Sequence, residues 1–198
     1  MMNDSKQPIR IKLCGMTRPE DAALASDLGA DAIGMIFYAK SARNVSLLQA
    51  EEIVTAVNPL CGIVAVVVNP EVQQLSEILA RIPVSAIQFH GDESPVFCAR
   101  FQRPYIKAVR MRDGTDLSAL RLQYAGARAL LLDSFDKNLV GGTGKPFDWS
   151  VLDMNLNQTA GPKIMLAGGL TPENVVDAVT RTGIANLDVN SGIERAPG

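Results

Sequence analysis

The stretch IRIKLCGMT, residues 9–17, reads as a short strand that ends on Cys14, breaks at Gly15 and leads into a helix. Side chains alternate along a strand, so Ile9, Ile11 and Leu13 share one face while Arg10, Lys12 and Cys14 share the other. The thiol therefore points the same way as a cation two residues earlier. An unperturbed thiol, with a pKa of about 8.5, is only a few per cent ionised at neutral pH, and Lys12 is the expected aid to its ionisation. Thr17 and Glu20 have the spacing of a capping box. A strand, a turn and a capped helix make half of a βαβ unit.

The unit recurs along the chain. The first helix, Pro19 to Leu28, closes at Gly29, and Ala32 to Phe37 follows as a second apolar run. Ser46 and Gln49 form another capping box ahead of the helical pattern Leu47 to Val57. Gly62 to Val68 is a continuous β-branched run, the signature of a strand buried on both faces. Asn69-Pro70 and Ser94-Pro95 each place a capping side chain before a proline at a first helical position. Further strands are expected at Ser85 to Phe89, Tyr105 to Val109, Ala129 to Asp133, Lys163 to Ala167 and Ala185 to Val189. Helices fall near 71–81, 95–101, 116–123, 148–154 and 172–181, for eight strands and seven helices in all. The joints LGADAIG (28–34), AGARALL (125–131) and TGIANLD (182–188) echo one another. Alternating β and α with buried parallel strands allows an open doubly wound sheet or a closed (β/α)₈ barrel, and eight strands without an internal break favour the barrel. A single barrel domain spanning residues 1–198 is expected, with short loops.

Composition narrows the partners. A content of 47% hydrophobic residues is ample for a core, and a net charge of −2 with mixed signs gives no basic stripe for nucleic acid. No apolar run reaches the roughly 18 residues of a membrane span. The polar start MMNDSKQP and three scattered cysteines point to reduced thiols and a cytoplasmic location. A small-molecule ligand is the expected partner, with the chain a monomer or a homodimer.

In a barrel the active site lies at the carboxyl ends of the strands, where the sequence puts Cys14, Phe37, Gln88, His90, Arg110, Asp133, Gly168, Gly169 and Asn190-Ser191-Gly192. Cys61 and Cys98 read as small buried hydrophobes, and position alone leaves Cys14 open between that role and a functional one. Asp133 is carried by LLLDS straight out of a buried strand, whereas structural aspartates usually sit in turns and caps. LAGGLTPEN (166–174) and the NSG after the last strand are amide-rich and small, as an anion cradle requires. GGTG (141–144) matches neither a Walker loop nor a dinucleotide fingerprint and reads as a mobile loop, a candidate lid. One histidine and no CxxC spacing argue against a metal site. Arg43, in the loop after the second strand, is by default a solvated charge, but its planar fork also suits a carboxylate.

With these residues assembled, the chain resembles phosphoribosylanthranilate isomerase, the barrel enzyme of tryptophan biosynthesis. The resemblance rests on KLCGMT (12–17), SARNVS (41–46), QFHGDE (88–93), KAVR (107–110), LLLDS (130–134), GGTGKPFDW (141–149), LAGGLTPENV (166–175) and LDVNSGIE (187–194). It implies an Amadori rearrangement of N-(5-phosphoribosyl)anthranilate without a cofactor, with Cys14 as base and Asp133 as acid. It also implies that Arg43 meets the anthranilate carboxylate and that the loops carrying Gly168, Gly169, Asn190, Ser191 and Gly192 bind phosphate. Against the family pattern, Ala42 replaces a proline, Asn190 replaces a serine, and the chain ends at Gly198 without a last helix. A catalytically silent phosphosugar-binding barrel is the alternative, though a pure binder needs neither the thiol nor the acid. Strand parity sets one more expectation: Ile9, Ile11 and Leu13 meet Leu187 and Val189 on the outside of the barrel, leaving a bare apolar groove where an eighth helix would lie.

Overall fold

The apolar runs form eight parallel strands: β1 (Arg10–Cys14), β2 (Ala32–Phe37), β3 (Gly62–Val67), β4 (Ala86–Phe89), β5 (Tyr105–Met111), β6 (Ala129–Ser134), β7 (Lys163–Leu166) and β8 (Asn186–Val189). They pair in chain order and β8 closes on β1, so the sheet has no edge. The computed structural model describes residues 8–134, 149, 152 and 160–198. The helix expected at 148–154 and the GGTG loop lie outside the described residues, apart from Trp149 and Leu152, which pack into the core. Among the described residues there are six α-helices: α1 (Pro19–Asp27), α2 (Leu47–Ala56), α3 (Val72–Arg81), α4 (Pro95–Ala99), α5 (Leu117–Gln123) and α6 (Val175–Thr182). Only a single 3₁₀ turn, Ser191–Ile193, follows β8, and no described helix is long and apolar enough to cross a membrane. The architecture is a (β/α)₈ barrel, with no α-helix after β8 among the described residues.

Alternation along each strand divides the apolar residues into an inner and an outer set. Ile33, Met35, Ala65, Val67, Ile87, Phe89, Leu130, Leu132, Ile164 and Leu187 face outward and merge with the helices into one mantle core. Val64 and Val66 on one side, and Ile106, Ala108, Leu131 and Ala167 on the other, fill the interior. That double burial is why β3 carries no polar residue. Polar groups enter the interior at a few positions: Lys12 of β1 and Asp188 of β8 stand opposite each other across the closing seam, and Arg110 stands opposite Asp133 between β5 and β6.

The end signals divide. Ser46 and Gln49 make the full reciprocal capping box at α2, and Ser94 caps α4 ahead of Pro95. Thr17 and Glu20 do not make theirs, because α1 begins at Pro19 behind Arg18, one residue too late for that spacing, and no side chain caps it. Asn69 likewise does not cap α3, which starts at Val72 behind Glu71. Its backbone is left-handed (φ 45°), and its side-chain oxygen accepts from the Asp92 N–H at 2.7 Å. The β3 loop is thereby tied to the β4 loop instead of to its own helix. Of the three echoing joints, Gly29 (φ 92°) and Gly183 (φ 66°) turn through left-handed backbone. Gly126 is not left-handed, and a side chain there would meet the Tyr105 hydroxyl at 3.3 Å.

Of the five residues that parity assigns to the groove, only Leu13 lines the one found. Ile9 and Ile11 on the outer face of β1 are 45% and 36% exposed, as a missing cover leaves them, but Leu187 is 1% and Val189 9% exposed. The two β8 residues belong to the mantle core. A groove of about 750 Å³ remains between α1 and the chain end, with Leu13, Met16, Leu24, Leu28 and Ile193 in its walls.

Candidate active site

Every candidate site residue lies at the carboxyl-terminal rim. Cys14 at the end of β1, Asp133 at the end of β6, Arg43 in the β2 loop, Gly168 and Gly169 after β7, and Asn190 and Ser191 after β8 line one cavity, together with Gln88, His90 and Asp188. Gly192 does not line it. A side chain at Gly192 would run into the Leu170 carbonyl oxygen, so this glycine lets the β8 loop close against the β7 loop.

The thiol sits in a buried charge cluster. Lys12 Nζ donates to Asp188 Oδ1 at 2.7 Å, both side chains being almost fully buried. Gly34 stands opposite Cys14 in β2, and a Cβ there would come within 2.8 Å of both Cys14 Sγ and Lys12 Nζ. A glycine inside a strand marks such a close approach. Burial opposes the charge on Lys12, but Asp188 and Cys14 beside it outweigh burial and raise its pKa. On Asp188 burial wins over Lys12 and moves the carboxyl upward. Burial also dominates at Cys14, pushing the thiol up to about 11; Lys12 pulls it down, while Asp188 adds to the rise. Lys12 favours the thiolate, but its charge is shared with Asp188 and burial outweighs it.

Asp133 is 6% exposed. Its Oδ1 accepts from the Ser134 N–H at 2.8 Å, and its Oδ2 lies 3.1 Å from His90 Nε2. Gly168 and Gly169 take successive left-handed conformations (φ 75° and 69°). A Cβ on Gly168 would come within 2.9 Å of Asp133 Oδ1 and strike the Ser134 nitrogen, so the β7 loop can approach the acid only as glycine. Asn174 holds the same loop, its side chain accepting from Thr171 N–H and donating to Gly169 carbonyl.

Arg43 is not a solvated charge. Its Nε donates to Glu194 Oε1 at 2.7 Å and its NH2 donates to Oε2 of the same carboxylate, which raises its pKa further. Gly15 (φ 82°) leaves room for it, since a side chain there would meet Arg43 Cδ at 2.6 Å and Asn190 Oδ1 at 2.9 Å. The resemblance implies a substrate carboxylate for this fork; in this structure the carboxylate in it is that of Glu194. Glu194 and Gly34 were missed as site residues, and only Gly34, a glycine within an apolar strand, left a signal in the sequence.

A (β/α)₈ barrel that gathers a buried thiol, a buried carboxyl and two glycine loops around one cavity at its carboxyl-terminal rim has the layout of a barrel enzyme's active site. The comparisons narrow that class. A family model for N-(5'phosphoribosyl)anthranilate (PRA) isomerase matches residues 11–198. The N-(5'-phosphoribosyl)anthranilate isomerases of Pseudomonas fluorescens and Neisseria gonorrhoeae are 46% and 44% identical over 190 residues, covering 96% of this chain and 89% of each relative. The crystal structure of phosphoribosyl anthranilate isomerase from Thermotoga maritima superposes with a TM-score of 0.85 at 33% identity, covering 96% of this chain and 91% of that one. Another, in complex with reduced 1-(o-carboxyphenylamino)-1-deoxyribulose 5-phosphate, gives a TM-score of 0.82 at 33% identity, with the same coverage of each chain. The chain belongs to the phosphoribosylanthranilate isomerase family, isomerases of tryptophan biosynthesis.

Proposed function

We propose that the chain converts N-(5-phosphoribosyl)anthranilate to 1-(2-carboxyphenylamino)-1-deoxyribulose 5-phosphate in the cytoplasm, with Asp133 as general acid and Cys14 as general base. The observation that carries this reading is the pairing of a buried thiol and a buried carboxyl, from β1 and β6, on the wall of one cavity. Asp133 donates its proton to the furanose ring oxygen. The C1′–O bond then breaks as the anthranilate nitrogen lends its lone pair, and an open-chain iminium forms. Cys14 removes the C2′ proton, and the enolamine that results tautomerises to the ketone. Tautomerisation places a proton on C1′ and releases one from the C2′ hydroxyl; with the first given up by the Cys14 thiol and the second returned to the Asp133 carboxylate, both groups regain their starting states, and the scheme calls on no cofactor.

The chemistry gives the order of events, since the C2′ proton becomes acidic only once the iminium has formed, and the raised thiol pKa agrees with that order. At a pKa of about 11, roughly one thiol in ten thousand is ionised at pH 7. An iminium cation formed beside Cys14 favours the thiolate, as an opposite charge within a few ångströms shifts a pKa by about 1 to 3 units. Acid catalysis thus prepares base catalysis. Around the reacting carbons, the amides of Gly168, Gly169 and Ser191, with Asn190, form the phosphate cradle, and Gly192 holds its two loops together. Arg43 takes the anthranilate carboxylate, which must share the guanidinium with Glu194 or displace it.

The test is a fluorescence assay with freshly prepared phosphoribosylanthranilate on the wild type, Cys14→Ser and Asp133→Asn. Each substitution should lower kcat by about 10²- to 10⁴-fold, the usual worth of a positioned acid or base, with KM changed little. Wild-type turnover in either variant removes that residue from its role. Binding without turnover in the wild type would favour the silent phosphosugar-binding barrel.

A further inference from the structure

Glu194 pairs with the arginine proposed to take the substrate carboxylate, yet it is not a wall of the same cavity. It follows the 3₁₀ turn Ser191–Ile193, where the Ile193 N–H donates to the Asn190 carbonyl at 3.2 Å and the Glu194 N–H to the Ser191 carbonyl at 3.4 Å. The same loop carries Asn190 and Ser191 into the cavity, and Gly192 lets it close on the Leu170 carbonyl. Glu194 is therefore fixed to the loop proposed as half of the phosphate cradle. Over Gly15 the contact is repeated, since the stem of Arg43 and the side chain of Asn190 pack against the same bare glycine.

The way Glu194 holds Arg43 decides what is left for a ligand. A guanidinium carries five N–H donors in one plane, which give two parallel pairs: one along Nε and NH2, the other along NH1 and NH2. Glu194 takes the first pair, Nε donating to Oε1 at 2.7 Å and NH2 to Oε2. NH1 has no hydrogen-bond partner among the described residues. The second edge is whole, so another carboxylate can be held in the same plane without removing the first.

Displacement is the costlier course. The two side chains are only 14% and 17% exposed, and Arg43 is the only hydrogen-bond partner of the Glu194 carboxylate among the described residues. A carboxylate stripped of its one cation in so enclosed a place bears the cost of an unpaired charge. Glu194 also stands on the wrong side to be a rival: Arg43 lines the rim cavity, whereas Glu194 lines the groove beside α1. We propose that Glu194 is a positioning residue for the carboxylate end of the substrate, gripping Arg43 from behind and setting its free edge at a fixed distance from the phosphate cradle. Both ends of the substrate are then referred to one loop, and the sugar carbons between them are delivered to Cys14 and Asp133. This deepens the function proposed above and rests on the reading of Arg43 as the partner of the carboxylate.

Two stable ligands separate the ends: the reduced form of 1-(2-carboxyphenylamino)-1-deoxyribulose 5-phosphate, and its phenylamino counterpart, which lacks only the carboxyl. Calorimetry gives their dissociation constants for the wild type, Arg43→Ala, Glu194→Ala and the double variant. Ordering a long side chain on binding costs a factor of about 2 to 12 in affinity. Glu194→Ala should therefore weaken the carboxylated ligand about three- to tenfold and leave the phenylamino ligand within about twofold, the second result also showing that fold and cradle survive. On the Arg43→Ala background the Glu194 substitution should cost nothing further. In turnover Glu194→Ala should raise KM by the same factor with kcat within about twofold. A tighter carboxylated ligand in Glu194→Ala marks Glu194 as a rival and overturns the proposal; an equal loss for both ligands, or no change in either, does the same. Arg43 keeps its role through all of these as long as Arg43→Ala weakens the carboxylated ligand alone. If it does not, the underlying reading of Arg43 falls together with the proposal.

Discussion

Cys14 asks for charge in a place built to refuse it. Two influences compete: burial, which pushes the thiol up to about 11, and Lys12, which pulls it down. Reactivity decides between them, since only the thiolate attacks an alkylating agent. If burial governs, the rate of iodoacetamide modification at Cys14, followed by peptide mass spectrometry, should climb about tenfold per pH unit from pH 6 to pH 10 without a plateau. A plateau near pH 8 would restore Lys12 to the part the sequence suggested. Much of the site was legible at this scale, because strand parity alone puts Cys14, Asp133, Gly168 and Asn190 at one rim. The partners that set their chemistry were less so. Asp188 sits across the seam from Lys12, 176 residues along the chain, and Glu194 reaches Arg43 over 151 residues. No local pattern records a contact that only barrel closure makes.

Between residue and molecule, the helix ends show where local grammar governs and where tertiary contact overrides it. Ser46-x-x-Gln49 and Thr17-x-x-Glu20 are the same word in sequence, but only the first folds as a capping box. At the second, Pro19 takes the first helical position and moves the N-cap to Arg18. Asn69 is drawn away from its helix by the Asp92 amide. Ser46→Ala should therefore cost about 1 kcal/mol in denaturant unfolding, the typical worth of a lost cap, while Thr17→Ala, which breaks no cap, should stay within about 0.5 kcal/mol. Equal losses would mean that the box at Thr17 forms in solution. The strands, by contrast, lie where the sequence puts them, with ends shifted by at most two residues, because an apolar run such as GIVAVV, buried on both faces, itself marks the extent of the strand.

For the whole barrel, closure hides the sheet edges but does not cover the outside. β8 buries Leu187 and Val189 in the mantle, so its side of the seam is closed. The side of β1 and α1 is not: Ile9 and Ile11 are partly bare, and Leu24 and Leu28 are 59% and 79% exposed beside a groove of about 750 Å³. Full burial of a large aliphatic side chain is worth about 1.5 to 3 kcal/mol, and each of these residues has part of that still to gain. An amphipathic helix joined after Gly198, with its apolar stripe at i, i+3, i+4 and i+7, should seat in the groove. For a chain of this size a net gain of 1 kcal/mol raises the midpoint by about 2 to 4 °C, so thermal unfolding should move up by several degrees. A polar helix of the same length is the control and should leave the midpoint where it was. Sedimentation distinguishes the remaining outcome: if the apolar helix changes nothing and the parent chain runs as a dimer, a second copy already fills the groove, and if the parent is a monomer with an unchanged midpoint, the outer face of β1 is not the weak side of the barrel.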